Sequence, residues 1–292
     1  MSKNAVLLLA HGAPERVEDV EAYLGFVRSG RPPSPQILEE VSHRYKAIGG
    51  SSPLLRWTRV QAEALQQLMG IPVFFGMRNW HPFIRETMDQ VRESGVERLA
   101  AVCLAPQFSR LSVGLYMKRT EEAKRDAGVA AKTSWAKSFH DEPLLIEAFA
   151  ERLRAVGFGG RRVLFTAHSL PEKILEAGDP YDRETRATAA AVAACVGLEQ
   201  YDFAYQSQGM TEDRWLGPTV ESCLDRYAAE GVREVVVHPI GFVCDHVEVL
   251  FDVDQLFGDY AAKLGITIHR PESLNGSPAF TKALAAVAGR CL

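Results

Sequence analysis

The chain has 292 residues, 47% of them hydrophobic and 24% charged, with a formal net charge of −4. This is long enough for two domains of ordinary size with substantial cores, and the slightly acidic balance with no basic run excludes a surface built to track nucleic acid. The longest charge-free stretches, 64–77 and 187–198, fall short of the roughly 20 residues that span a bilayer, so no stable membrane insertion is expected.

From the start of the chain, the apolar run Ala5–Ala10 ends in His11-Gly12, not in a small-residue cleavage site. It reads as a first core strand, not as a signal peptide, and the expectation is a cytoplasmic protein. Further strand-like segments are expected at 72–76, 98–104 and 133–137, and a second set at 163–167, 203–206, 234–239 and 266–269. Helical patterns fill the gaps, and strands alternating with helices predict parallel sheets covered on both faces. Ser34-Pro35 and Ser277-Pro278 each supply a cap and then a proline for a first helical turn. His81-Pro82 has the same layout, though histidine caps poorly. The expected division is an N-terminal half over 1–142 and a C-terminal half over 143–275, with a terminal helix, 276–292, placed to cross back to the first half. Cys103, Cys195, Cys223, Cys244 and Cys291 are scattered without a CxxC pair, which argues against a disulfide framework, a zinc knuckle or an iron–sulfur cluster.

Chemistry is to be sought in the loops that follow the strands, because open α/β sheets place ligands at the carboxyl ends of their strands. VLFTAHSLPE, 163–172, sets His168 where a buried strand gives way to a helix. VVVHPIGFVCDHVEVLFDVD, 235–254, places Asp245, His246, Glu248 and Asp252 just past another strand. One imidazole with several carboxylates suits a divalent metal or proton transfer. The residue types leave His168 open between that role and a locally satisfied strand end. For Glu248, the spacing Asp245-x-x-Glu248 slightly favours a capping box. A four-residue step puts Glu248 and Asp252 on one helix face and turns Asp254 elsewhere. His238, inside an apolar strand, reads as a hydrogen-bonded core histidine. Arg28, Arg44 and Tyr45, beside the loop Gly49-Gly50-Ser51-Ser52, are together suited to hold ligand carboxylates, since guanidinium grips a carboxylate with two prongs.

Several motifs resemble the ferrochelatases, which insert ferrous iron into a porphyrin. They are AHSLPEKI with GDPY (178–181), YQSQG (205–209) with WLGPTVE (215–221), and PIGFVCDHVEVLFDVD, joined by RYKAIGGSSPL (44–54), LAPQFSRLSVGLYMKR (104–119) and HRPESLNGSPAF (269–280). The likeness covers nearly the whole chain and is similar to the soluble branch that acts on coproporphyrin III. It implies an α/β fold of two Rossmann-like halves, each a doubly wound parallel sheet, of class II chelatase type, with the porphyrin in a cleft between them. It implies no permanently bound cofactor, Fe2+ as substrate and a monomer. His168 matches the family's metal-binding and proton-accepting histidine, and Glu248 matches its partner carboxylate, which replaces the capping reading. The porphyrin-contacting positions match Arg28, Arg44, Tyr45, Ser52 and Tyr116. Where many coproporphyrin enzymes carry a tyrosine as axial iron ligand, this chain has His11; imidazole also ligates iron, and the resemblance leaves that role open. Leu256 stands where the family often has an acidic residue, which disfavours a second, outer metal site. The alternatives are a protoporphyrin IX ferrochelatase, a chelatase for another tetrapyrrole or metal, and a non-catalytic haem or metal carrier.

Overall fold

The structure is a computed structural model that describes residues 3–209, 211 and 213–292. In chain order the first elements are β1 (Asn4–Ala10), α1 (Val20–Val27), α2 (Pro35–Ala47), α3 (Leu54–Met69), β2 (Val73–Met77), α4 (Ile84–Ser94), β3 (Arg98–Cys103), α5 (Val113–Ala127) and β4 (Lys132–Ala136). They continue as α6 (Pro143–Val156), β5 (Arg162–His168), α7 (Lys173–Glu176), α8 (Tyr181–Cys195), β6 (Asp202–Gln206), α9 (Val220–Ala229), β7 (Glu234–Pro239), α10 (Val247–Leu250), α11 (Gly258–Lys263), β8 (Thr267–His269) and α12 (Pro278–Gly289), with a π-helix at Asp252–Phe257.

Two four-stranded sheets result, ordered β2-β1-β3-β4 and β6-β5-β7-β8, and every pairing between their strands is parallel. These are two Rossmann-like halves with one strand order. The central strands have apolar middles because helices cover both faces of a parallel sheet: Ala5 to Leu9 and Val163 to Phe165 are fully buried. Contacts gather 1–105, 110–139 and 275–292 into one compact unit and 106–109 with 140–274 into the other. α12 therefore belongs with the first unit, where Gln61 Nε2 donates to the Asn275 carbonyl at 2.8 Å.

The helix starts follow the sequence signals in two of the three cases. Ser34 accepts from Ile37 N at 3.3 Å and Ser277 from Phe280 N at 3.2 Å. At α4 the helix begins later than His81-Pro82 suggests. Its first turn is closed by Glu86, which accepts from Phe83 N at 2.7 Å, while His81 instead pairs with the same carboxylate.

Candidate active site

In the second unit His168 is the last residue of β5, level with Gln206 at the end of β6. Gln206 fastens three segments together. Its side chain accepts from Thr166 Oγ1 at 2.6 Å and donates to the Glu248 carbonyl at 3.0 Å, while its own carbonyl accepts from Ser169 N at 2.7 Å. Gly241, in the turn after β7, passes so close to β5 that an added Cβ would lie 2.8 Å from Ala167 Cα; any side chain there would push the strand end that carries His168.

His168 Nδ1 donates to the Ser169 carbonyl. A carbonyl only accepts, so a ring hydrogen is on Nδ1 and, in the neutral imidazole, the lone pair is on Nε2. Nε2 faces Glu248 Oε1 at 3.5 Å, with the two side chains 30% and 34% exposed. Burial pushes the imidazole pKa down, but Glu248, the Ser169 carbonyl and the charge of Asp252 outweigh it, and the net direction is up. A proton arriving at Nε2 is therefore stabilised by the carboxylate beside it. His246 Nε2 stands 3.7 Å from the other oxygen of Glu248. Burial holds that second imidazole below the usual histidine value, opposed by Glu248 and Asp245, and its Nδ1 has no hydrogen-bond partner. Tyr181 donates to the His168 carbonyl at 2.9 Å; burial, with Tyr205, Glu248 and Asp179 nearby, keeps it a neutral phenol.

Asp245 does not occupy the N-cap position that the spacing suggested. His246, not Asp245, is the residue before α10, and its own side chain makes no cap hydrogen bond. Asp245 accepts from Ser273 Oγ at 2.7 Å and from Arg270 Nη1 at 3.2 Å. The continuous helix face expected for Glu248 and Asp252 is also absent, because α10 ends at Leu250 and a π-helix begins at Asp252. Gln206 enters the ladder at the Glu248 carbonyl, and a side chain inserted this way is a known cause of such breaks. Asp252, 2% exposed, is held by Ser207 Oγ, and Asp254 is gripped by both prongs of Arg270 at 2.5 and 2.9 Å. His238 is the core histidine expected: 3% exposed, its Nε2 donates to the Phe149 carbonyl at 3.1 Å. Among the described residues no group of three or more His, Cys, Asp or Glu side chains is gathered as for a resident metal ion.

In the first unit His11 follows β1. Its Nδ1 lies 3.1 Å from the Gly12 carbonyl and 3.3 Å from the Tyr23 hydroxyl, and its Nε2 accepts from Asn79 Nδ2 at 3.0 Å. Gly12 has φ +86 and a phantom Cβ 2.7 Å from Trp80 N, so only glycine fits beside His11. Arg28 closes α1, and its buried Nε has no hydrogen-bond partner. Arg44, near the end of α2, pairs with Glu40 at 2.9 Å; the neighbouring Tyr45 is fully buried. Ser52, 5% exposed, accepts from Leu54 N at 3.3 Å. Tyr116 on α5, also 5% exposed, lies under the Arg78 guanidinium, 4.8 Å from its ring centre. Sequence reasoning gave no role to Gln206, Asn79, Arg78 or Arg270, although Gln206 stands in one of the loops where chemistry was expected. The first three sit within two residues of a strand's carboxyl end, the one signal that pointed to them.

The family model described as Ferrochelatase matches residues 3–291. A ferrochelatase of Acidobacterium capsulatum is 45% identical over 97% of this chain and 93% of its own length. A coproporphyrin III ferrochelatase of Halalkalibacterium halodurans is 36% identical over 98% of this chain and 96% of its own. Among solved structures, SirB from Bacillus subtilis with Fe3+ covers 99% of this chain and 95% of its own with a TM-score of 0.64 at 12% identity, a likeness of fold. Family and relatives match over almost the entire length, and the chain accordingly belongs to the ferrochelatase family, enzymes that insert a metal ion.

Proposed function

We propose that this enzyme inserts Fe2+ into coproporphyrin III, giving iron coproporphyrin for haem biosynthesis, and that it works as a cytoplasmic monomer with no permanently bound cofactor. The observation that carries the reading is the pairing of His168 Nε2 with Glu248 at 3.5 Å, the other ring nitrogen being committed to a carbonyl. Insertion exchanges two pyrrole N–H protons for one Fe2+. His168 accepts a proton at Nε2 and Glu248 holds the resulting imidazolium, so a base stands ready near neutral pH. As a hard oxygen donor beside an imidazole, Glu248 also suits the incoming ferrous ion. Arg28, Arg44, Tyr45, Ser52 and Tyr116 bind the porphyrin. His11 joins them and ligates the iron only if it gives up the hydrogen bond from Asn79, since that bond uses the lone pair on Nε2.

Coproporphyrin III is supported by the relatives of that name and by the guanidiniums of Arg28 and Arg44, which suit its carboxylates. Protoporphyrin IX as substrate is the second reading, since the 45% identical relative is named only as a ferrochelatase, with no porphyrin specified. Anaerobic rates with Fe2+ on the two porphyrins test the choice, and faster turnover of protoporphyrin IX would overturn it. His168→Ala is expected to abolish insertion while leaving porphyrin binding, read by fluorescence quenching, largely intact. Insertion at the parental rate would remove His168 from the chemistry.

A further inference from the structure

Two buried guanidinium nitrogens among the described residues have no hydrogen-bond partner, Nε of Arg28 and Nη1 of Arg78. A guanidinium keeps its charge at any accessible pH and offers only donors, so a buried N–H of this kind left unmet costs free energy and calls for an acceptor. Arg28 is already among the porphyrin positions. Arg78 is not.

Arg78 is the first residue past β2, at the carboxyl end of the sheet, and its amide donates to the Ala10 carbonyl at 3.0 Å. That bond places it beside His11, whose carbonyl takes the next amide, of Asn79, at 2.9 Å. Its guanidinium lies over the Tyr116 ring, 4.8 Å from the centre, and has no ion-pair partner among the described residues. It lines a cavity of about 360 Å³ with Asn79, Phe26, Leu115, Arg85 and Arg119; Glu122 and Asp126 also border it. Arg119 is tied to Glu122 at 3.3 Å, which leaves two guanidiniums, Arg78 and Arg85, against the one remaining carboxylate, Asp126, around the space. Phe26 and Leu115 are 48% and 41% exposed, an apolar wall beside that charge. Apolar surface bordered by an unsatisfied guanidinium matches one corner of a flat ring that carries a carboxylate on a short arm.

We propose that Arg78, held against Tyr116, binds a propionate of the porphyrin and selects a ring with a carboxylate at that corner over one with a vinyl group. The proposal rests on the coproporphyrin reading above. Coproporphyrin III has propionates at the two positions where protoporphyrin IX has vinyls, so the pair of substrates isolates the contact.

The test is Arg78→Met, which keeps the stem and removes the charge, with Arg78→Lys as the conservative partner. Each is compared with the parent for binding of both porphyrins without iron, by fluorescence quenching, and for KM and kcat with Fe2+. Arg78→Met should weaken binding of coproporphyrin III and raise its KM by about tenfold or more with little change in kcat, the range of one lost charge-assisted contact. Protoporphyrin IX should be unaffected, and lysine, a point charge without the fork, should restore part of the loss. Equal weakening for both porphyrins, or none for coproporphyrin III, would overturn the role of Arg78 and leave the enzyme's substrate assignment standing. A parent that turns over protoporphyrin IX alone would overturn both.

Discussion

His238 should make the second unit lose stability as the pH falls. It lies inside β7, 3% exposed, and Nε2 donates to the Phe149 carbonyl, whereas Nδ1 has no partner. Burial pushes its pKa down to about 4 from 6.5; the Phe149 carbonyl opposes this and the charge of Arg270 adds to it. Protonation would bury an N–H with nothing to accept it. In the unfolded chain the imidazole takes up its proton near 6.5, so below that pH the unfolded state gains a proton that the native state refuses, and stability falls until the native ring titrates near 4. At about 1.4 kcal/mol per pH unit the whole interval amounts to about 3 kcal/mol, of which about 2 kcal/mol is lost between pH 7 and pH 5. Urea unfolding of the unit that carries β7, at those two pH values, reads this directly when the parent is compared with His238→Gln, which does not titrate. The parent should lose about 2 kcal/mol more than the variant over that interval. Parallel losses, or a His238 resonance titrating near 6.5 in the folded protein, would refute the reasoning.

Three further outcomes are expected. In Glu248→Gln the imidazole of His168 loses the charge that does most to oppose its burial, so its pKa should move down; NMR titration of the labelled ring in metal-free protein checks this, and an unmoved or raised value contradicts the pairing. Gly12→Ala would force a Cβ to 2.7 Å from Trp80 N at φ +86, and should lower stability by about 1–3 kcal/mol in thermal unfolding; an unchanged midpoint would deny the close approach. Gly241→Ala would place a Cβ 2.8 Å from Ala167 Cα, shifting the end of β5, and should cut iron insertion by about tenfold or more through misplacement of His168, with porphyrin binding retained as the control.

The central strands were legible because strands buried on both faces of a parallel sheet need apolar runs, and the less apolar edge strands, such as β4 and β8, were placed by their alternation with helical patterns. Each lies within one or two residues of its expected place. His168 was legible for a related reason, since a histidine closing such a run stands at a strand's carboxyl end. Glu248 was not. Its spacing to Asp245 fits a helix cap; the family resemblance pointed past that, and the fold shows Glu248 facing His168 while Asp245 is held by Arg270 and Ser273. Likewise the i,i+4 step from Glu248 to Asp252 assumes an α-helix that Gln206, from 42 residues earlier, interrupts.

The sequence by itself determined the alternation of strands and helices, their caps and the strand ends at which chemistry is carried, because these depend on neighbours a few residues apart. Only the tertiary structure decided which polar groups meet: His168 with Glu248, His11 with Asn79, and Arg78 with Tyr116 but with no carboxylate among the described residues. Such contacts join segments distant along the chain, and local spacing carries no record of them. Whether a side chain's charge is met or left waiting is settled only when the segments pack.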